Sequence, residues 1–325
     1  MKTKLLGRTG ISVSELCFGT MSFGGDADEA TSAAMYKAVR DAGVNFFDCA
    51  NEYNKGQSEE ILGRLAKGHR DDLVLTTKVN AQIRPDINAR GTSRRHMVHA
   101  VEQCLRRLQT DRIDVLFLHR YDALTPIEES MRGLEDLVRS GKVIYPAVSN
   151  WSAWQTQRAV DIQERHNWAR LQVVQPMYSL VKRQAEVEIL PMAEANGIGV
   201  IPYSPAAAGL LSGKYFAGHN SGRLKTNKMY EARYGDEWMF EVAEKYVGFC
   251  KQKGLHPVST AIAWVASHPA VTAPIIGARN LDQLKDSLAS VDVKMTPELR
   301  AEIADLSRTP APATDRSEEL KVVKG

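Results

Sequence analysis

Four residues in this 325-residue chain could do proton chemistry together. Asp48, Lys78 and His119 each end a short apolar run (NFFD, LVLTTK and VLFLH), and Tyr53 lies five residues beyond Asp48. Kept protonated by Asp48, Lys78 sets a positive charge beside the Tyr53 hydroxyl, which favours phenolate and is expected to lower the phenol pKa from its usual value of about 10. A phenol so tuned is a general acid for a carbonyl oxygen gaining negative charge. His119 can supply a second hydrogen bond to that oxygen. Given a hydride donor, the set suits carbonyl reduction. Singly, each residue has a plainer use: Asp48 as a helix cap, Lys78 as its structural partner, His119 as a core residue, Tyr53 as a surface aromatic. A lysine beside Asp and Tyr also suits carbinolamine chemistry, so a Schiff-base aldolase using Lys78 is an alternative reading.

These residues need a scaffold that brings strand ends together. Short β-branched runs at 13–19, 44–48, 73–78, 115–119, 143–149, 171–175, 198–203 and 271–276 alternate with amphipathic stretches at 29–42, 58–67, 93–109, 127–140, 153–166, 185–195 and 257–267. Two more helical patterns cover 280–290 and 297–306. Apolar residues recur there at three- and four-residue steps, as in Met97, Val101, Leu105 and Leu108. This alternation predicts an α/β fold, a parallel (β/α)8 TIM barrel, whose chemistry sits at the carboxyl ends of the strands. A doubly wound sheet alternates similarly, but its first turn usually carries G-x-G-x-x-G, and the first strand here runs instead into Cys-Phe-Gly-Thr-Met. Gly7-Arg-Thr-Gly10 signals an N-terminal β-hairpin closing the barrel bottom. The connection from Ser204 to about Gly235 is long enough to be functional, and 237–253 reads as an extra helix. Residues 1–325 read as one barrel domain, with 307–325 as a C-terminal tail.

Composition narrows the partners. With 42 basic and 39 acidic residues the net charge is only +3, which leaves no electrostatic footprint for nucleic acid. No apolar run is long enough to span a membrane, and the N-terminus lacks a signal peptide's apolar core. Cys17, Cys49, Cys104 and Cys250 are dispersed without a C-x-x-C pair, which fits reduced thiols in a cytoplasmic protein. His96 and His99 lie three apart on a basic helix and read as a solvated face, with no metal site expected.

Taken with their surroundings (NFFDCANEY, LTTKV and RLQTDRIDVLFLHRYD), the four residues resemble the Asp-Tyr-Lys-His tetrad of the aldo-keto reductases, and the likeness runs from Leu5 to Leu306. It implies NADP(H) as the preferred cofactor, with NAD(H) as the alternative, bound at Gly19, Thr20 and Asp48. Ser149, Asn150 and Gln175 then hold the nicotinamide carboxamide, and Tyr203 stacks on the ring. GLLSGK resembles the segment over the pyrophosphate, giving Ser204, Leu210, Lys214 and Arg223. IIGARNLDQL resembles the adenosine-phosphate segment, giving Gly277, Arg279, Gln283 and Ser287, the last replacing an Asn frequent in relatives. Arg279 suits a 2′-phosphate. Met21, Phe23, Tyr121 and Trp151 are the expected substrate pocket, for a small carbonyl or alcohol. GLLSGKY and YSL also resemble potassium-channel β subunits, which implies a second reading as an NADPH-binding regulatory or redox-sensing subunit. Relatives occur as monomers and as larger homo-oligomers.

Overall fold

The computed structural model describes residues 1–82, 84–216, 224 and 227–318. Its first unit is a hairpin of β1 (Thr3–Leu5) and β2 (Ser12–Ser14), paired antiparallel with Lys4 opposite Val13. The turn is closed by Leu6 N–H donating to Ile11 O at 2.9 Å, and Gly7 adopts a φ of 56° that favours glycine. A Cβ on Gly7 would also lie 2.7 Å from Gly199 N, so the hairpin presses directly on the barrel. Leu6 and Val13 belong to the apolar cluster filling the barrel interior, with Phe46, Val115, Phe117 and Val173. The hairpin is therefore the plug of the barrel floor.

Eight parallel strands follow: β3 (Cys17–Gly19), β4 (Phe46–Asp48), β5 (Val74–Val79), β6 (Ile113–Leu118), β7 (Val143–Ser149), β8 (Val173–Gln175), β9 (Gly199–Val200) and β10 (Ile275–Ile276), in the order β10-β3-β4-β5-β6-β7-β8-β9. Thr272 and Ile275 N–H groups donate to Val200 and Pro202 carbonyls, both at 2.8 Å, and join the two ends of the sheet. This is the expected (β/α)8 fold.

The helices α1 (Glu29–Asp41), α2 (Gln57–Ala66), α3 (Arg94–Leu108), α4 (Ile127–Arg139), α5 (Ala153–Arg165) and α6 (Ile189–Asn196) alternate with these strands. After β9 come α7 (Lys228–Tyr234), α8 (Glu237–Gln252) and α9 (Pro257–Ala266), then α10 (Leu281–Leu288) and α11 (Pro297–Ala304) beyond β10. Side chains start several of them, as Ser93 does for α3 and the Ser152–Gln155 capping box for α5. Their apolar faces form the larger core outside the sheet, including Met97, Val101, Leu105 and Leu108.

Three expectations need correction. The run 13–19 is two strands, because residues 12–14 pair with the hairpin while the Ser14 hydroxyl turns onto Leu16 O at 2.7 Å. The 204–235 connection contains a short 3-10 turn, Ala207–Ser212, and α7. His96 is buried rather than solvated, with Nε2 unpartnered.

Close packing of α2 on α3 generates a test. A Cβ on Gly63 would fall 2.6 Å from the Arg107 and Leu108 carbonyl oxygens. Helix propensity alone favours alanine by about 1 kcal/mol, whereas overpacking costs about 1–3 kcal/mol. Gly63→Ala is expected to lower the urea midpoint; a raised midpoint would show that the helices part freely.

Candidate active site

The barrel brings the four residues together. Lys78 Nζ donates to Asp48 Oδ2 at 2.5 Å, to the Cys49 carbonyl at 2.7 Å and to the Tyr53 hydroxyl at 3.3 Å. Asp48 Oδ1 in turn accepts from Thr76 Oγ1 at 2.8 Å and from Gln175 Nε2 at 2.9 Å. Lys78 is wholly buried and Asp48 nearly so. Tyr53 follows β4 on a tight turn in which Asn54 and Lys55 have φ of 48° and 57°. That turn is held by Asn54 Nδ2 donating to the Met21 and Phe23 carbonyls. The Tyr53 and His119 rings meet edge-on, 6.1 Å apart.

Burial alone would lower the Lys78 pKa, but Asp48 and Tyr53 prevail and hold it above the ordinary lysine value. Tyr53 departs from expectation. Desolvation pushes its pKa up, and the opposing charge of Lys78 is partly cancelled by Asp48. The phenol is therefore held protonated, not poised toward phenolate. His119 is pushed well below the ordinary histidine value by burial and by the charges of Lys78 and Arg120. Its Nδ1 sits 3.1 Å from Glu52 Oε1 but out of line for a hydrogen bond. Glu52 is instead engaged by Arg120, whose Nη2 reaches both carboxylate oxygens at 3.0 Å.

A cavity of about 760 Å³ opens above this group, lined at the tetrad end by Asp48, Tyr53 and His119. Its volume falls in the usual range for cofactor and ligand sites. Ser149 and Asn150 line it, with Asn150 Nδ2 donating to His119 O at 2.9 Å and Asn150 Oδ1 accepting from Tyr203 Oη at 2.7 Å. Gly19, Gln175, Tyr203, Ser204, Lys214, Gly277, Arg279, Gln283 and Ser287 complete the expected lining. One feature of the lining fits an extended phosphate-bearing cofactor. The wall at 206–209 is small and turns left-handed from Ala207, with φ of 54° at Ala208 and 87° at Gly209, where a Cβ would meet Lys214 Nζ at 2.7 Å. A Cβ on Gly277 would make ordinary contact with the Gly19 carbonyl, at 3.8 Å.

Other expected residues lie elsewhere. Thr20 is buried, its hydroxyl donating to Asp48 O and accepting from Ser58. The Leu210 side chain is fully buried, because the 3-10 turn directs it into the outer core. Arg223 lies outside the described residues. Of the expected pocket residues only Met21 lines the cavity. Phe23 packs on Phe18 at 5.9 Å, and Tyr121 packs edge-on against Trp151 at 5.2 Å. Sequence reasoning missed Glu52, Asn54, Arg120, Met229, Tyr230, Arg233 and Asp286, which all line it. Glu52 and Arg120 adjoin Tyr53 and His119, a signal that could have found them; Arg233 carried none.

A barrel with a buried Asp-Lys-Tyr-His group at the foot of a large cleft has the layout of an enzyme that moves protons at a bound ligand. The aldo/keto reductase family model matches residues 15–308, and the chain belongs to that family and is an oxidoreductase. It is 38% identical to the uncharacterized oxidoreductase YrpG of Bacillus subtilis (strain 168), over 97% of this chain and 98% of the relative. It is 35% identical to a probable voltage-gated potassium channel subunit beta of Oryza sativa subsp. japonica, over 92% and 94%. A versiconal hemiacetal acetate reductase of Aspergillus parasiticus is 32% identical, again over 92% and 94%. Among the described residues no helix is long and apolar enough to cross a membrane.

Two stability tests follow from the site. Removing one member of a buried ion pair strands the other, at about 3–5 kcal/mol. Lys78→Met should destabilise by that order in urea denaturation, and adding Asp48→Asn should recover part of the loss; strict additivity would contradict the pairing. His119 has a folded pKa below its unfolded one, so its contribution is present above about pH 6.5 and lost as pH falls. His119→Gln should flatten the acid-side decline of the wild-type stability curve.

Proposed function

We propose that the protein reduces aldehydes or ketones to alcohols with NADPH, using Tyr53 as the general acid. The observation carrying this is the Lys78 ammonium, 3.3 Å from the Tyr53 hydroxyl at the foot of the cavity. When bound, the dinucleotide supplies a hydride to the carbonyl carbon. Tyr53 gives its proton to the carbonyl oxygen, and Lys78 stabilises the phenolate left behind until solvent reprotonates it. A phenol held protonated by burial is the correct starting state for this direction. His119, kept neutral, offers a hydrogen bond that orients the carbonyl. Ser149, Asn150 and Gln175 would hold a carboxamide, and Gln175 already commits Nε2 to Asp48, leaving its carbonyl oxygen free to accept. Tyr203 offers a stacking surface. Lys214 and Ser204 would face the pyrophosphate, and Arg279, with Gln283 on its backbone N–H at 3.2 Å, a 2′-phosphate. These placements favour NADPH over NADH.

The aldolase reading is weaker. A Schiff-base lysine must be neutral, whereas Lys78 is committed to three acceptors. The relatives named as channel β subunits favour a second reading, a dinucleotide-binding regulatory subunit with little turnover.

Tyr53→Phe should lower carbonyl reduction by about 10²–10⁴-fold, followed by nicotinamide absorbance, while NADPH binding by fluorescence is retained. Tight binding with no wild-type turnover on an aldehyde panel would support the regulatory reading. The raised phenol pKa also sets the pH profile. The acid form persists through neutrality, so reduction should stay level there and fall only above about pH 10, and alcohol oxidation, which needs phenolate, should rise with pH. A fall in reduction near neutrality would contradict the assignment.

A further inference from the structure

Two carboxylates on the cavity lining are answered by fixed cations. Asp48 is neutralised by Lys78, and Glu52 by Arg120. Asp286 has His256 Nε2 at 3.7 Å. Two guanidinium groups on the lining, those of Arg279 and Arg233, have no carboxylate among the described residues. Arg279 stands beside α10, where the proposed reading uses it for the dinucleotide. Arg233 has no such use.

Arg233 lies on α7, half-buried, with its guanidinium carbon 5.8 Å from the centre of the Tyr203 ring and 5.4 Å from that of Tyr230. Its place is the tetrad end of the cavity. Tyr203 donates to Asn150, which donates to the His119 carbonyl. Tyr230 reaches the Met21 sulfur at 3.8 Å, and the Met21 carbonyl accepts from Asn54, next to Tyr53. Burial raises the Tyr203 phenol pKa, and the cations Arg233, Arg120 and Lys78 oppose that rise while Tyr230 adds to it. Two aromatic rings lie within cation–π range of the guanidinium, that of Tyr203 and that of Tyr230 three residues back on the same helix, and none of its five N–H donors has an acceptor among the described residues. A planar fork within cation–π reach of two rings, with no acceptor for its donors among the described residues, is suited to bidentate binding of a carboxylate.

We propose that Arg233 is a specificity-determining residue that binds a carboxylate carried by the carbonyl substrate, making the preferred substrates oxo acids or carboxylated aldehydes. This rests on the reductase reading and adds the substrate class to it. Tyr53 and His119 hold the reacting carbonyl while Arg233 holds the remote anion. The substrate is thereby fixed at both ends, which helps catalysis through orientation as well as affinity.

The test compares 4-carboxybenzaldehyde with the methyl ester of the same acid, on NADPH-loaded protein. Wild type should show the higher kcat/KM for the acid. In Arg233→Leu the acid-to-ester ratio should fall roughly 10- to 100-fold, mainly through KM, the size of a charge-assisted hydrogen bond. Arg233→Lys, which keeps the charge but loses the fork, should retain part of the ratio and serves if the leucine variant does not fold. An unchanged ratio overturns the proposal. So does a loss that appears instead in calorimetric NADPH affinity, which would assign the guanidinium to the dinucleotide phosphates. Absence of turnover with either aldehyde is failure of the reductase reading. Calorimetry with 4-carboxybenzaldehyde then decides: binding to wild type but not to Arg233→Leu supports the carboxylate site, and equal binding to both overturns it.

Discussion

A lysine ammonium sealed from water inside a barrel costs several kcal/mol in lost solvation, and the upper end of this barrel is organised around meeting that cost. The ammonium finds a carboxylate, a carbonyl and a phenol within 3.3 Å. The carboxylate is itself saturated, because Thr76 from β5 and Gln175 from β8 both donate to its second oxygen. The Gln175 bond runs across the barrel from one side of the sheet to the other. Closure of the sheet, the register of β4 on β5 and the placing of Tyr53 are therefore one arrangement. Loosening any of them weakens the shell of partners around a buried ion pair.

The same arrangement fixes the character of the phenol. A cation beside a tyrosine lowers its pKa only if that cation is not already answered, and if water still reaches the hydroxyl. Here Asp48 answers Lys78, and burial outweighs what remains. The site thus stores a protonated phenol next to a charge that favours its ionisation, a combination suited to releasing a proton only when an oxygen bearing negative charge arrives. His119, neutral and flanked by Glu52 and Arg120, adds polarity without adding a proton acid at physiological pH.

Much of this was legible in the sequence because strand ends announce themselves. A polar residue terminating an apolar β-branched run, as in Asp48, Lys78 and His119, is an anomaly that periodicity exposes, and three consecutive strands share it. The barrel followed from the alternation of strand and helix. What was illegible depended on geometry that no period encodes. The split at 13–19 arises because Ser12–Ser14 has a better partner in the hairpin than in the barrel. Phe23 and Trp151 were expected in the pocket as neighbours of the tetrad, but apolar side chains at such loops bury themselves against Phe18 and Tyr121. Arg233 was invisible for the opposite reason: it is one of 42 basic residues, and only the placing of α7 beside Tyr203 distinguishes it.

The most direct test of this account is the protonation state of Lys78, read by NMR of the side-chain 13Cε and 15Nζ signals, with the resonance assigned by its loss in Lys78→Met. The account predicts an ammonium that persists from neutral pH to above the ordinary lysine range of about 10.4. A neutral amine near pH 7 would contradict it: Asp48 would not be answering the charge, the phenolate would have no stabiliser, and Lys78 would be free to act as a nucleophile.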